Sequence, residues 1–291
     1  MNLESQFRDA MRNAGIPTEA TIVADGELHR VHVEGDRQGT RNGWFVLHDG
    51  NHLAGAYGCN KRGISGKWRA NNTVPNTGLN PVDRAHIEAQ RQARATEQER
   101  GYTLAADRAG KILHAATLDA TAHPYTVRKC IQPFGVNQNR DGVLVVPVYD
   151  ARNGKLSSLQ FIDGDGTKRM LTGGRMAYGC FPLRHTPESF KQALQARIGI
   201  AEGYATCATL SHVVGDSVAM FSAFSAANLP NVALALREHY PSAEITLYAD
   251  NDANEVGQRY ATKAAIAVHG LIAIPPTPGA DWNDEYARAT A

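Results

Sequence analysis

The last hundred residues of the chain alternate between short apolar runs and longer stretches with helical character, and this alternation restricts the fold more than any other feature. Each apolar run ends in turn-forming or acidic residues, and a helical stretch of about 10–15 residues separates most neighbouring runs. We predict strands at 198–203, 217–224, 244–252 and 271–276, each followed by a helix. Strands connected by helices form βαβ units, so this part is predicted to be an α/β domain with a mostly parallel sheet.

Two of these predicted strands end in acidic residues. Glu202 follows the first strand, and Asp250 and Asp252 close the third. Because open parallel sheets bind ligands beyond the carboxyl ends of their strands, we expect the three carboxylates to lie at one edge. Side by side they would repel one another unless a divalent cation such as Mg²⁺ joined them, and such a site suits phosphoryl transfer. Glu202-Gly203 alone after a strand carries no information, and an Asp-x-Asp motif alone is often a turn or a helix cap.

The rest of the chain has a different periodicity, which predicts α+β regions before the α/β domain. Residues 3–13 are predicted to form a helix, followed by strands and a hairpin turn at Asp49-Gly50. The segment 69–81 is predicted to be a linker, and 82–118 one or two exposed helices that Gly101 interrupts. Around Asn153-Gly154 we predict a β-hairpin formed by 143–150 and 155–163. The predicted parts are a β-rich unit (1–70), a linker with helices (71–120), a central β-rich subdomain (121–190) and the α/β domain (191–291).

Basic residues surround a glycine pair just before the α/β domain. Lys168, Arg169 and Arg175 flank Gly173-Gly174, where a backbone without side chains can approach a phosphate closely. We predict that these three residues bind nucleic acid or nucleotide, with Arg128 and Lys129 as further candidates. An exposed turn with solvated charges is the alternative.

The N-terminal unit interleaves cations with aromatic residues, among them Trp44, Phe45, Tyr57 and Trp68. Such a mixture is found in stacking platforms for single-stranded nucleic acid. Because Trp44 and Phe45 are consecutive on a predicted strand, one of them is expected to face a core. Platform and core packing both remain open for these aromatics.

Composition excludes several classes of protein. With 30 basic and 29 acidic residues the formal charge is +1, and 43% of the residues are hydrophobic, as in globular proteins. No apolar run is long enough to span a membrane, and the N-terminus lacks a secretory signal. The four cysteines form no CxxC pair, which argues against a zinc ribbon and favours reduced thiols. We therefore expect a cytoplasmic protein with no membrane partner.

Several motifs together resemble a known family. The segments IGIAEGYATCATL and ITLYADNDANEVGQRYA are similar to the Toprim domain of primases, topoisomerases and some nucleases. Further segments resemble the primases of plasmids and bacteriophages, including the conjugative TraC-type primases, and extend the resemblance over most of the chain: GDRQGTRNGWFVLHDGNHLAGAYGCNKRGISGKW, HPYTVRKCIQPFGV, VLVVPVYDARNGKLSSLQFIDGDGTKRMLTGGR, GCFPL and ADWND. The resemblance implies a Rossmann-like Toprim sheet and primer synthesis in plasmid or phage replication or conjugation.

The resemblance also implies roles for individual residues. Glu202 would be the general base or a metal ligand, and Asp250 and Asp252 would bind Mg²⁺ or Mn²⁺. Asp281 and Asp284 stand where family members carry a further acidic motif and would complete the metal site, although Asp281 is also a candidate helix N-cap. The implied partners are a single-stranded DNA template and nucleoside triphosphates.

The sequence lacks the G-x-x-x-x-G-K-[ST] loop of a helicase motor. A separate helicase or another replication or transfer protein is therefore an expected partner, unless the chain is a fragment of a longer primase. Two other functions stay open. The same metal site would serve a Toprim nuclease, and a non-catalytic single-stranded DNA-binding protein would retain the fold alone. A topoisomerase is disfavoured, because it needs a further domain with a catalytic tyrosine.

Overall fold

The computed structural model describes residues 3–48, 54–70, 81–184 and 187–290, which fall into two compact units, 1–80 and 81–291. The predicted turn at Asp49-Gly50 and most of the predicted linker 69–81 lie outside the described residues. The proposed division of the chain into four parts stays a prediction.

The first unit packs one helix against an antiparallel sheet. Its elements are α1 (Leu3–Asn13), β1 (His29–Val31), β2 (Gly43–Leu47), β3 (Ala54–Cys59) and β4 (Ile64–Arg69), and the strands pair in the order β1-β2-β3-β4. The predicted helix 3–13 is confirmed. Phe7 and Met11, one helical turn apart, are completely buried, because the apolar stripe of α1 faces the core.

The aromatic residues of this unit mainly serve its core. On β2, Phe45 is completely buried, whereas the neighbouring Trp44 is only half-buried, as the alternation of side chains along a strand requires. Phe7 meets the rings of Phe45, Tyr57 and Trp68 edge-on, with ring centroids 5.9, 5.8 and 5.3 Å away. Core packing therefore accounts for three of the four aromatics that were candidates for a stacking platform.

A single long helix, α2 (Pro81–Ala115), begins the second unit. The predicted interruption at Gly101 is wrong: the helix runs through it, because the neighbouring Ala, Arg, Gln and Glu residues favour helix strongly enough to outweigh the cost of one glycine, about 1 kcal/mol. Near its C-terminal end, Ala109 packs with Val145 and Leu159 of the sheet.

Nine strands form one mixed sheet within the described part of this unit. They are β5 (Asn137–Gln138), β6 (Leu144–Asp150), β7 (Leu156–Ile162), β8 (Lys168–Met170), β9 (Gly179–Leu183), β10 (Arg197–Ala201), β11 (Ala219–Ser222), β12 (Glu244–Tyr248) and β13 (Leu271–Ala273). The order is β13-β12-β10-β11-β9-β6-β7-β8, and β5 pairs with β6. The four strands from β13 to β11 are parallel, which confirms the predicted α/β arrangement, and the predicted hairpin is present as β6 and β7.

Strand β9 joins the two halves of this sheet. It pairs antiparallel with β11 on one side and with β6 on the other. The sheet is therefore continuous across the boundary predicted near residue 190. The strand GCFPL, at 179–183, is too short and too uniformly apolar to show this pairing in its sequence.

Helices cover both faces of the parallel strands. A core cluster on one face includes residues of α3 (Pro124–Arg128) and α5 (Tyr204–Val214), with Trp282 of α8 (Trp282–Thr290) packed against it. The cluster on the other face includes residues of α4 (Pro187–Ala196), α6 (Leu229–His239) and α7 (Val256–Val268). Across the described residues, we find no helix with the length and apolarity that a bilayer span requires.

Candidate active site

The connections of the parallel strands create a crevice between β10 and β12. These strands are neighbours, but the chain leaves β10 through α5 toward β11 and leaves β12 through α7 toward β13, on the opposite side. Such a reversal of strand order is where open α/β sheets bind ligands, beyond the carboxyl ends of the strands. Ala201 pairs with Tyr248, so Glu202 and Asp250 emerge beside each other at this crevice.

Asp250 is the most perturbed carboxylate of the crevice. Burial, followed by the negative charges of Glu202, Asp281 and Asp252, raises the pKa of Asp250 to about 7, and Lys168 opposes this rise. Its Oδ1 atom is buried and has no hydrogen-bond partner among the described residues. A buried carboxylate oxygen without a partner is costly, and a cation is one way to satisfy it.

Glu202 and Asp252 complete the acidic group at the strand ends. Burial raises the pKa of the half-buried Glu202, and the charge of Asp252 adds to this rise; the Ala226 N–H, which donates to the carboxylate, and Lys168 oppose it. Asp252 is exposed. The charges of Glu202 and Asp252 thus act on Asp250, and the charge of Asp252 acts on Glu202. The catalytic and metal-binding roles of the three residues stay predictions.

The donor set fits a hard divalent cation, although the side chains are not gathered around one point. In the described part of the chain, no three His, Cys, Asp or Glu side chains converge into a group that could hold a metal. Mg²⁺ commonly takes only one or two protein carboxylates and completes its coordination with water and substrate phosphates. The unpartnered Oδ1 of Asp250 and the neighbouring carboxylate oxygens supply ligands of this kind.

Asp281 and Asp284 form a reciprocal cap at the start of α8. The Asp284 backbone N–H donates to Asp281 Oδ1 at 2.8 Å, and the Asp281 N–H lies 3.5 Å from Asp284 Oδ2. This is the capping-box arrangement, which satisfies free N–H groups of the first helical turn. The N-cap alternative for Asp281 is therefore confirmed. The metal-ligand role of both residues stays a prediction, and their carboxylates also pair with Lys129 Nζ, at 4.0 and 3.4 Å.

Substitutions at Asp281 separate the two roles. We expect Asp281→Ala to lower the free energy of unfolding by about 1 kcal/mol, whereas Asp281→Ser keeps the stability because serine caps a helix as well as aspartate does. Thermal unfolding and Mn²⁺ titration of both variants provide the measurements. Weaker Mn²⁺ binding by the stable Asp281→Ser variant would instead assign Asp281 to the metal site.

Lys168 is a basic residue whose charge acts on both Glu202 and Asp250. On β8 it pairs with Ile162, which belongs to the core cluster of α3 and α5. Its ammonium lies 4.0 Å from the position that a Cβ on Gly203 would take. The pKa of Lys168 is lowered by partial desolvation of the ammonium and by Lys129, while Asp281, Glu202 and Asp250 counteract this effect.

Removal of the Lys168 charge is expected to weaken the binding of an anion at the crevice. A charged hydrogen bond contributes about 1.5–3 kcal/mol, so Lys168→Met should raise the Kd for a polyphosphate probe such as ATP about 10–100-fold. Isothermal titration calorimetry provides the measurement, with Lys155→Met, at an exposed hairpin turn, as the matched control. A Kd unchanged in Lys168→Met would contradict a contact between Lys168 and the anion.

Arg169 and Arg175 are not brought to the carboxylates. Arg169 pairs with Phe161, which packs toward α2, so its side chain lies on the opposite face from Lys168 and forms an ion pair with Asp163 at 2.8 Å. Arg175 bonds to Glu99 of α2, and its guanidinium lies 4.5 Å from the Tyr102 ring centroid. A nucleic-acid role for either residue stays a prediction and would involve a different surface.

The two other basic candidates lie at the end of α3. Lys129 caps this helix and pairs with the acidic cap of α8. Arg128 donates to the Gly164 carbonyl at 2.9 Å and lies over the Tyr125 ring. Lys129 therefore belongs to the crevice, whereas Arg128 holds the turn that precedes β8.

Tyr125 is a residue of this crevice that the sequence did not single out. Its ring contacts both Arg128 and Lys168, at 5.8 and 6.0 Å from the ring centroid. Burial and then the charge of Asp281 raise its pKa to about 12, so the hydroxyl stays protonated at neutral pH. The sequence feature that could have pointed to Tyr125 is its position in the HPYTVRKC segment, which resembles the plasmid and phage primases.

Comparison with known proteins identifies the domain. Residues 197–291 match the Toprim domain family. Most of the chain is similar to two proteins named DNA primase TraC from Escherichia coli, each 32% identical over 94% of this chain. The chain corresponds to 26% and 20% of the lengths of these relatives. The C-terminal part of the chain is therefore a Toprim domain, as the motifs predict.

Two solved structures give weaker similarities. The primase fragment of the bacteriophage T7 primase-helicase protein is 19% identical, with 59% of this chain and 70% of that one covered and a TM-score of 0.41. The Aquifex aeolicus primase, with its zinc-binding and RNA polymerase domains, is 13% identical, with coverages of 99% and 82% and a TM-score of 0.42.

Proposed function

From the Toprim domain and the similarity to DNA primases, we infer that the chain is a nucleotidyltransferase of the primase type, which synthesises short primers on single-stranded DNA. The observation that carries the proposal is the position of Glu202 and Asp250 at the crevice between β10 and β12, with a buried Asp250 oxygen left without a partner. A Toprim domain implies a divalent metal ion, and we propose Mg²⁺ or Mn²⁺.

The residues of the crevice supply the protein's part of the chemistry. Asp250 and Asp252 would hold the ion, which when bound stabilises charge on the attacking and leaving oxygens. Glu202, whose pKa is raised by burial, is a stronger base than a solvated carboxylate and would accept the proton of a nucleotide 3′-hydroxyl. Lys168 would offset the charge of the incoming triphosphate.

The partners follow from this reaction. We propose a single-stranded DNA template and nucleoside triphosphates as substrates, in plasmid or phage replication or in conjugative transfer. A separate helicase or other transfer protein, or further parts of a longer primase, would bring the template to the crevice.

The test is incorporation of labelled ribonucleotides by the purified chain on an unprimed single-stranded template with Mg²⁺ or Mn²⁺. We expect short products that disappear in Asp250→Ala while DNA binding is retained. Strand scission without synthesis would indicate a nuclease that uses the same site with water as the nucleophile. DNA binding with neither activity would leave a non-catalytic binding protein.

A further inference from the structure

The loop that carries Asp250 and Asp252 is attached to a later segment of the chain through Asn251. The Asn251 N–H donates to the Ala280 carbonyl at 3.0 Å, and the Gly279 N–H donates to the Asn251 carbonyl at 2.7 Å. These two backbone hydrogen bonds hold the main chain of Asn251, the residue between the two aspartates, at its N–H and at its carbonyl. They do not fix how the loop is rotated about the direction of its main chain, so side chains must supply that constraint.

The side chain of Asn251 supplies that second constraint. Its Nδ2 donates to the Pro275 carbonyl at 2.9 Å, and its Oδ1 accepts from Gln258 Nε2 at 3.2 Å. The same Nε2 lies 3.3 Å from the Asp252 carbonyl, to which it donates. Carbonyl oxygens only accept hydrogen bonds, so the Pro275 carbonyl must face the NH₂ group of Asn251, and the Asp252 carbonyl must face the NH₂ group of Gln258.

Gln258 ties this network to a rigid element. It lies in the first turn of α7, which begins at Val256, directly after the acidic loop. The helix also approaches Asp250 closely, since a Cβ on Gly257 would lie 3.6 Å from the Asp250 carbonyl oxygen. The loop is therefore held between the start of α7 and the segment 275–280.

We propose that Asn251 and Gln258 act as one positioning pair, which sets the affinity of the crevice for a divalent cation by holding Asp250 and Asp252 in place. The inference rests on the proposed function, because it needs a cation at these carboxylates. The physical reason is repulsion: Glu202, Asp250 and Asp252 are neighbouring charges that favour separation when no ion is bound. Hydrogen bonds that fix the loop remove part of this freedom before the ion binds.

The experiment measures Mn²⁺ binding alone, without substrate, by electron paramagnetic resonance of free Mn²⁺. Asn251→Ala and Gln258→Met should each weaken binding about tenfold, within the range of 10–100-fold found for partners of metal ligands. Because the two side chains form one network, the double variant should also lose about tenfold, and not the hundredfold expected of independent sites. Gln195→Met, an exposed glutamine of α4, is the matched control.

Amide hydrogen exchange gives a second readout that needs no metal. Exchange at the Asn251 and Gly279 N–H groups should become about tenfold faster in Gln258→Met and stay unchanged in Gln195→Met. Unchanged exchange, or Mn²⁺ affinities within about twofold of the unmodified protein for both single variants, would overturn the inference. Losses that multiply in the double variant would also overturn it.

The variant Asp250→Asn shows whether a negative result concerns only the positioning pair or the proposed function as well. If this variant loses Mn²⁺ binding while the amide variants keep it, only the positioning pair is wrong. If the unmodified protein and Asp250→Asn bind Mn²⁺ equally, the metal site itself is wrong, and the positioning pair is overturned with it.

Discussion

Replacement of Asp250 by asparagine is expected to lower the rate of primer synthesis by at least about 10³-fold, because stabilisation by a metal ion amounts to several kcal/mol and each 1.36 kcal/mol is a factor of ten. Asparagine has nearly the same shape, so the crevice is retained. What disappears is the negative charge whose Oδ1 has no partner in the protein. Primer synthesis on an unprimed template is the measurement.

The same substitution should leave the metal-free protein as stable as before or more stable. Glu202, Asp252 and Asp281 all disfavour the charged form of Asp250, so loss of that charge relieves repulsion. Functional sites often carry such a cost to stability. Thermal unfolding without metal tests this, and Asp107→Asn, an exposed position on α2, is the matched control. In the primer-synthesis assay, a rate for Asp250→Asn within about tenfold of the rate of the unmodified protein would contradict a central role for Asp250.

Binding of the divalent ion is expected to depend steeply on pH. The ion competes with a proton for the Asp250 carboxylate, whose pKa is about 7. Below that value, the apparent affinity should fall about tenfold for each pH unit, as expected when one proton is displaced. The apparent affinity measured by titration with Mn²⁺ should therefore rise about a hundredfold from pH 5 to the pKa of Asp250 and stay constant from there to pH 8.

The metal-free protein should show the opposite trend in stability. The pKa of Asp250 is raised from 3.8 to about 7 in the folded chain, so the folded state binds more protons than the unfolded state between these values. This contribution to stability is present below the unfolded pKa and is lost as the pH rises through the folded one. Asp250→Asn should abolish that dependence. An affinity for Mn²⁺ that does not change between pH 5 and pH 8 would contradict the assignment.

Local patterns in the sequence were sufficient to predict the parallel part of the sheet. Alternation of apolar runs and helices, with acidic residues at two strand ends, placed Glu202 and Asp250 at one edge. These features are local because hydrophobic periodicity and turn residues act over a few positions. The cap of α8 is local in the same way, because Asp281 and Asp284 stand three positions apart, as the partners of a capping box do.

Other features depend on contacts between distant residues. The sequence could not show that β9 joins the central hairpin to the parallel strands. Alternation along β8 requires Lys168 and Arg169 to face opposite sides, but only the pairing with β7 decides which of them reaches the crevice. The amide network of Asn251 and Gln258 is invisible in the sequence, because it depends on segment 275–280 returning to the acidic loop.

Anomalous X-ray diffraction from crystals soaked in Mn²⁺ tests the account most directly, because it locates the ion without reference to activity. We expect a peak at the end of β12, about 2.1 Å from a carboxylate oxygen of Asp250. Mn²⁺ peaks found only at other positions, with the Asp250 carboxylate free of any ion at saturating concentration, would contradict the central claim that the ends of β10 and β12 form a metal site.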